Sequence, residues 1–176
     1  MYRQEDPWLR FPHIWKTKAA FFSYLRGNLR KAVWNRWVGK TTLKNSVCTP
    51  PPQGVDTRAK TGAYCSLTGE WVGKSKLEVD HIEGGAKLND WEDLEGFVQH
   101  LCCPVEDLQV VSKEAHKIKS YAERMGLTFE EAKEAKKLIA FKKLSKLDKL
   151  DELGYTSQHT ATHEALNVEW LSKQAN

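Results

Sequence analysis

Two stretches of the chain carry an aspartate and two histidines in a pattern suited to metal-assisted hydrolysis. Residues 77–82 form an apolar run with β-branched side chains, and this run contains Asp80 and His81. Residues 107–119 begin with a similar run and continue into a segment that contains His116. A carboxylate and one imidazole can hold a hard divalent ion while a second imidazole acts as a base. These three side chains could therefore hydrolyse a phosphodiester.

Two strands and a helix must bring these side chains together. The apolar run at 108–112 predicts a strand, and Ser112 is a favourable N-cap for the helix that follows it. Adjacent residues on a strand point to opposite faces, so Asp80 and His81 share one site only if their strand bends. The glycine pair at 84–85 gives the chain the freedom for a tight loop just beyond them.

Each side chain then has an expected role in the chemistry. Asp80 supplies a hard oxygen ligand for Mg²⁺, with Mn²⁺ or Ni²⁺ as substitutes, and His116 reaches back from the helix as the second ligand. His81 takes a proton from the attacking water, which an unperturbed imidazole can do near neutral pH. Lys117 and Lys119 follow His116 closely and are expected to hold neighbouring phosphates.

Charge is distributed unevenly along the chain, although the net charge is only +4. Residues 1–63 hold 12 Lys or Arg against 3 Asp or Glu, whereas residues 64–115 hold 4 against 11. A cation-binding centre beside a polyanion-binding arm is what a nuclease requires, and a solvated basic helix beside an acidic face is the alternative. The residues expected to contact double-stranded DNA are Arg26, Arg30, Arg36, Lys40, Lys44, Arg58, Lys60 and Lys117.

Composition argues against several other classes of protein. No run of eighteen apolar residues occurs, so no membrane span is expected, and the first twelve residues lack a signal core, which predicts a cytoplasmic location. The four cysteines form no CxxC pair and are expected to be free thiols, buried or partly buried. His159 and His163 are four residues apart, but without a third ligand they are not expected to bind a metal.

Hydrophobic periodicity and capping residues predict an α+β fold. Thr17 is expected to cap a helix over residues 18–38, and residues 39–63 read as a proline-rich linker. A short hairpin is expected to turn at residues 68–69, ahead of the strand that carries Asp80. Four further helices are predicted. One begins at residue 89 or 90 and ends near 101, and the other three cover residues 113–124, 128–153 and 162–173.

The stretch from about residue 64 to residue 123 resembles the HNH nucleases, whose core is the ββα-metal fold. The motifs are VDHI at 79–82 with a following glycine, FV at 97–98, LC at 101–102, LQVV at 108–111, and a histidine three residues before a lysine at 116–119. The chain looks most like small HNH enzymes encoded by bacteriophages, including free-standing homing endonucleases. The basic segment LRGNLRKAVWNRW is also similar to the region that often precedes the core in these enzymes. The resemblance does not cover the last fifty residues.

This resemblance implies a domain organisation and a set of catalytic residues. Residues 1–63 would be a basic DNA-binding arm, residues 64–125 the ββα-metal core, and residues 126–176 a helical extension. His81 would be the general base, with Asp80 and His116 as ligands of Mg²⁺. Asp107 and Lys119 complete the catalytic set, the latter as the end of the His-x-x-Lys motif. Cleavage by this family's chemistry leaves 5′-phosphate and 3′-hydroxyl ends.

Asp107 departs from the family pattern, because it falls where the family has its middle asparagine. An asparagine amide can donate a hydrogen bond that fixes the loop carrying the base, whereas an ionised carboxylate can only accept. Asp107 would be tolerated if it met backbone N–H groups or a lysine, but it could instead approach the metal or weaken catalysis. We expect the chain to be active.

A second departure concerns zinc, because many relatives carry two CxxC pairs that hold the core. The corresponding positions here are Cys65 with Thr68 and Ser112 with Ala115, so only one of four ligands remains. We therefore expect no structural zinc ribbon and a core held by apolar packing. The residues expected to supply that packing are Trp71, Leu77, Trp91, Phe97 and Leu108.

The sequence thus predicts a metal-dependent DNA endonuclease in a phage-infected bacterial cytoplasm. One metal site per chain makes one cut, so a monomer would nick DNA, while a homodimer or sequential nicking would break both strands. Two alternatives stay open: a DNA-binding protein with a weakened HNH core, and a nicking accessory of phage DNA packaging. His81→Ala is expected to abolish cleavage and leave DNA binding intact if the enzyme interpretation holds.

Overall fold

The computed structural model describes residues 5–155 and 161–174, so His159 lies outside the described residues. The described chain contains eight α-helices and two small antiparallel sheets, which confirms the α+β class. It divides into two compact units, residues 1–116 and residues 117–176. Each unit is described by itself below.

The first unit begins with three helices, which are α1 (Pro7–Arg10), α2 (Lys18–Ala32) and α3 (Val38–Val47). The Thr17 hydroxyl caps α2 as predicted, accepting the Ala20 N–H at 3.1 Å. The prediction that this helix continues to residue 38 is wrong, and so is the assignment of residues 39–47 to a linker.

Tryptophan packing explains the break between α2 and α3. A short 3₁₀ turn, Trp34–Arg36, follows α2, and Trp37 then adopts an extended backbone before α3 begins. Both Trp34 and Trp37 pack against the core of the strands. A Cβ on Gly39 would lie 2.6 Å from the Trp37 indole nitrogen, so this turn needs a residue without a side chain.

Each of the two sheets is an antiparallel pair of strands. Strands β1 (Gly62–Tyr64) and β2 (Trp71–Gly73) pair around a turn at Gly69, whose φ of 70° favours glycine. Strands β3 (Leu77–His81) and β4 (Leu108–Ser112) pair with Asp80 opposite Gln109 and His81 opposite Leu108. Both the hairpin and the two strands of the site are therefore confirmed.

Helix α4 (Leu94–Leu101) lies in sequence between β3 and β4, and α5 (Lys113–Met125) follows β4 directly. The predicted start of α4 at residue 89 or 90 is wrong. The Asp93 carboxylate accepts the N–H groups of Asn89 and Asp90, and this folds the preceding segment as a turn. The Ser112 hydroxyl accepts the Ala115 N–H at 3.0 Å, as expected of an N-cap.

Two apolar clusters form the core of the first unit. Inward-facing residues of β3 and β4, including Leu77 and Leu108, form one cluster, and Phe97 belongs to the other with Phe21, Phe22, Leu88 and Leu101. Trp71 is only half-buried, and Trp91 is 42% exposed, so the prediction of Trp91 as a core residue is wrong. The free-thiol prediction holds for all four cysteines, although Cys102 is exposed.

The second unit is built from α6 (Phe129–Lys143), α7 (Lys146–Leu153) and α8 (His163–Gln174). Thr128 and Glu131 form the predicted capping box at the start of α6. The single helix predicted over residues 128–153 is instead two, because Ser145 caps a new helix at Lys146. This break lets α6 and α7 contribute to one core, which contains Phe141, Leu150, Leu153, Leu166 and Trp170.

Within residues 5–155 and 161–174, none of the helices combines the length and apolar content needed to cross a lipid bilayer.

Candidate functional site

Three side chains of the first unit meet beside strand β3. Glu78 and Asp80 lie two residues apart on this strand and so share one face. His116 reaches that face from the first turn of α5, since β4, which leads into α5, pairs with β3. The His116 Nδ1 lies 2.7 Å from Glu78 Oε2, and its Nε2 lies 3.5 Å from Asp80 Oδ1. The structure therefore brings the two predicted metal ligands together.

The Glu78 contact gives His116 the form that a metal ligand needs. A neutral imidazole that donates its Nδ1–H to a carboxylate keeps a lone pair on Nε2, and here Nε2 faces Asp80. Two donor atoms 3.5 Å apart can both reach one ion whose bonds are about 2.1 Å long. The donor set of one carboxylate and one imidazole thus fits a hard divalent cation.

This pair is smaller than a complete protein cage for a metal. Among the described residues, no group of three His, Cys, Asp or Glu side chains is arranged to hold an ion by itself. Mg²⁺ is usually bound through one or two carboxylates plus waters and substrate phosphates, so a two-residue site suits it better than it suits zinc.

His81 lies at the end of β3 and is clamped between two rings. Its ring stacks on Trp34 at 4.3 Å and on His100 at 3.8 Å between centroids. Its Nε2 is 2.8 Å from the His100 carbonyl oxygen, which can only accept a hydrogen bond, so Nε2 carries the proton. In the neutral ring Nδ1 is then the basic nitrogen.

Two hydrogen bonds hold the chain around His81. The Ile82 N–H donates to the Asp107 carbonyl oxygen at 2.8 Å, and the Gln109 amide donates to the His81 carbonyl oxygen at 3.3 Å. The loop after His81 is thus held by the Asp107 backbone and by the amide of Gln109. The Asp107 carboxylate is exposed and lines a cavity of about 270 Å³ with His81 and His100.

The predicted catalytic set is divided between two neighbouring surfaces. His81 and Asp107 line the smaller cavity, whereas His116 lines a groove of about 590 Å³ together with Glu78. Trp34 connects the two surfaces, because its ring stacks on His81 and Trp34 also lines the groove.

Three lysines line the same groove, which we name the lysine groove. The Lys40 ammonium lies 4.1 Å from the centre of the Trp34 ring, Lys44 donates to the Leu77 carbonyl oxygen, and Lys74 donates to the Asn45 side chain. Burial lowers the pKa of Lys40, with Lys44 acting in the same direction and Glu78 opposing it. These contacts hold three cations in the groove that the Glu78–His116 pair also lines.

The other predicted contacts lie elsewhere. The Arg30 guanidinium lies over the Phe97 ring at 5.8 Å, Arg58 lines a separate cavity, and Lys119 pairs with Glu123 at 3.1 Å within the second unit. The remaining members of the predicted set sit on α2, the 3₁₀ turn, the segment before β1, and α5: Arg26, Arg36, Lys60 and Lys117.

Sequence reasoning missed five residues of the site. Glu78 had a detectable signal, because it lies two positions before Asp80 on a predicted strand and must share its face. Local sequence gave no comparable signal for the others, since their roles depend on contacts between distant elements: Lys74, Trp34, His100 and Gln109.

The four positions compared with a zinc ribbon are linked by hydrogen bonds. The Cys65 thiol is buried and accepts the Ser112 N–H at 3.3 Å. Burial opposes ionisation of Cys65, but hydrogen bonds from the Thr68 side chain and from the backbone of Ser112, Leu67 and Thr68 lower the thiol pKa. Ala115 is buried, and its N–H donates to the Ser112 hydroxyl.

A scan against protein-family models, a search of curated proteins and a search of solved structures each found no match. The function must therefore be argued from side-chain geometry, together with the motif resemblance already described.

Proposed function

We propose that this protein is a metal-dependent DNA endonuclease of the HNH type. The observation that supports it most is the position of His116 between two carboxylates. Its Nδ1 contacts Glu78 at 2.7 Å, and its Nε2 faces Asp80 at 3.5 Å. That arrangement prepares one imidazole nitrogen and one carboxylate oxygen for the same cation, as in metal sites where a second carboxylate orients the ligating histidine.

In the proposed reaction Asp80 and His116 would hold a divalent ion, which would supply positive charge to the scissile phosphate and to the leaving 3′ oxygen. Nδ1 of His81 takes a proton from a water molecule whose oxygen forms a new bond to phosphorus. The bond from phosphorus to the 3′ oxygen breaks and that oxygen takes a proton from a second water, so the products carry 5′-phosphate and 3′-hydroxyl ends.

The clamp around His81 supports its role as the base. A histidine on an exposed strand end usually samples several orientations, whereas stacking on Trp34 and His100 fixes the plane of this ring. The hydrogen bond to the His100 carbonyl fixes the tautomer as well. A base that is already oriented has less freedom to lose when the substrate binds.

The lysine groove supports DNA as the substrate. Lys40, Lys44 and Lys74 line this groove together with the Glu78–His116 pair. Lysines held in this way can contact successive phosphates of a strand and so position one phosphodiester beside the metal ligands. A phage homing-type enzyme, acting as a monomer that nicks or as a homodimer that cuts both strands, is the setting we propose.

The deciding experiment is a supercoiled-plasmid assay with Mg²⁺, Mn²⁺ or Ni²⁺, with EDTA as the metal-free control. We expect nicked circles that require metal, and His81→Ala should slow cleavage by about 10²- to 10⁴-fold while DNA binding persists. His13→Ala is the matched control, because His13 is an exposed histidine of the N-terminal segment.

Two outcomes would contradict the proposal. Equal cleavage by His81→Ala and the parent protein would show that His81 is not the base. Plasmid binding without cleavage by the parent, with each metal and on DNA of several sequences, would favour the DNA-binding alternative with a weakened core.

A further inference from the structure

A row of aromatic rings faces solvent at the N-terminal side of the first unit. The ring centroids of Phe11 and Trp15 are 6.3 Å apart, and those of Trp15 and Tyr24 are 5.8 Å apart. Phe11 is 38% exposed and Tyr24 is 57% exposed, while Trp15 is half-buried. Trp15 is anchored on Phe21 of the core at 5.1 Å, so the middle ring of the row is fixed. We name these three residues the aromatic row.

Phe11 and Tyr24 do not pack into the apolar core of the first unit. The apolar cluster beneath them takes Trp15, Phe21 and other side chains, but Phe11 and Tyr24 lie outside it. Leu9 and Ile14, on the same segment, are also exposed. An exposed apolar surface of this kind commonly marks a site of binding.

The charge of the segments that carry the row favours an anionic partner. Residues 7–55 contain nine Lys or Arg and no Asp or Glu. The Arg10 guanidinium lies over the Phe11 ring at 5.4 Å, so a cation accompanies the row directly. Aromatic faces set in a positive surface match a ligand with flat apolar groups joined by phosphates.

We propose that the aromatic row binds unpaired nucleotides of a single-stranded nucleic acid, with bases stacking on Phe11 and Tyr24 and phosphates meeting Arg10. An anionic membrane is the rival partner for an apolar and basic surface. Interfacial binding ordinarily uses a long amphipathic helix with an exposed apolar face. Helix α1 has only 4 residues, and α2, which carries Tyr24, buries Phe21 and Phe22 in the core. This site goes beyond the proposed cleavage and does not require a metal.

The test measures binding of a fluorescent oligothymidine to the full-length protein in EDTA, where cleavage cannot occur. Phe11→Ala and Tyr24→Ala should each weaken binding by about five- to tenfold, whereas Tyr24→Phe should bind as the parent does. The slope of affinity against salt should not change, because no charge is removed. Tyr64→Ala is the matched control, since Tyr64 is 58% exposed in strand β1, and it should bind as the parent does.

Three results would overturn the inference. Unchanged oligothymidine affinity in both folded alanine variants would exclude stacking on these rings. An equal loss of affinity for a duplex of the same length would show a general DNA contact without preference for unpaired bases. Loss of binding to phosphatidylserine vesicles, with oligothymidine binding unchanged, would assign the row to a membrane. Because the assay is free of metal, failure of the cleavage proposal would leave its result unaffected.

Discussion

His116 illustrates how a single hydrogen bond limits what a side chain can do. An imidazole has two nitrogens, and either can carry the proton in the neutral ring. Here the Glu78 carboxylate accepts from Nδ1, so Nε2 is left to face Asp80. At the same scale, the His100 carbonyl fixes the proton of His81 on Nε2. The two acceptors thus place the proton on Nδ1 in neutral His116 and on Nε2 in neutral His81, so the two rings present different nitrogens as bases.

The role of Glu78 can be tested with Glu78→Gln. An amide of the same shape orients His116 less strongly and raises its basicity less, so Mn²⁺ affinity should fall by about 10- to 100-fold. Isothermal titration of the full-length protein with Mn²⁺ measures this directly. Glu70→Gln is the control, because Glu70 is an exposed glutamate of the β1–β2 turn. Unchanged Mn²⁺ affinity in Glu78→Gln would mean that Glu78 only forms an ion pair with His116.

At the scale of elements, hydrogen bonds to the Cys65 thiol connect the turn after β1 with the junction of β4 and α5. Cys65 comes directly after β1, and its sulfur accepts a hydrogen bond from Ser112 at the end of β4. Thr68 contributes a further hydrogen bond to this sulfur. Hydrogen bonds here connect the same two turns that a metal ion would connect if four cysteines were present.

Introducing three cysteines at the positions compared with zinc ligands tests whether these turns have the proposed ββα geometry. A variant with Thr68→Cys, Ser112→Cys and Ala115→Cys should bind Zn²⁺ through four thiolates and melt at a higher temperature with zinc than without it. Absorption of the Co²⁺ form reports tetrahedral thiolate coordination. Adding Cys65→Ser to the variant removes one ligand and should weaken binding. A folded variant that binds no zinc would show that the four positions do not converge on one ion.

In the folded first unit, basic residues from the N-terminal part of the sequence lie close to acidic residues from its middle part. The basic first 63 residues supply Lys40 and Lys44, and the acidic middle of the chain supplies Glu78 and Asp80. Helix α3 lies against β3 and β4, so Lys40, Lys44 and Glu78 line one groove together with His116. A phosphate strand would be attracted by the lysines, and a cation would be attracted by the carboxylates.

The salt dependence of DNA binding tests this arrangement. Replacing Lys40 and Lys44 with Gln should weaken duplex binding and reduce the slope of log affinity against log salt by about one for each lysine that contacts a phosphate. Fluorescence anisotropy at several salt concentrations, in EDTA, measures the slope. Lys133→Gln with Lys137→Gln is the control, because these lysines pair with Glu130 and Glu134. An equal reduction of the salt slope in the Lys40/Lys44 variant and in the control variant would show that DNA binding is not specific to the lysine groove.

The sequence by itself determined the features that depend on neighbouring residues. Thr17, Ser112 and Thr128 cap helices as predicted, because a cap needs only the first turn of its own helix. The strands at 77–82 and 108–112 follow from short apolar runs, and their antiparallel pairing brings Asp80 to His116. The catalytic role of these residues remains a prediction.

Only the tertiary structure decided where the long helices break and how the histidines are held. Helical periodicity continues past residue 32 and past residue 143. The first break depends on packing of Trp34 and Trp37 against the strands, whereas the second follows the Ser145 cap and lets Leu150 join the core of the second unit. The clamp on His81 joins residues from three separate elements. Capping and periodicity act over one or two turns of local sequence, whereas stacking and burial depend on contacts between residues far apart in the chain, which the folded structure alone supplies.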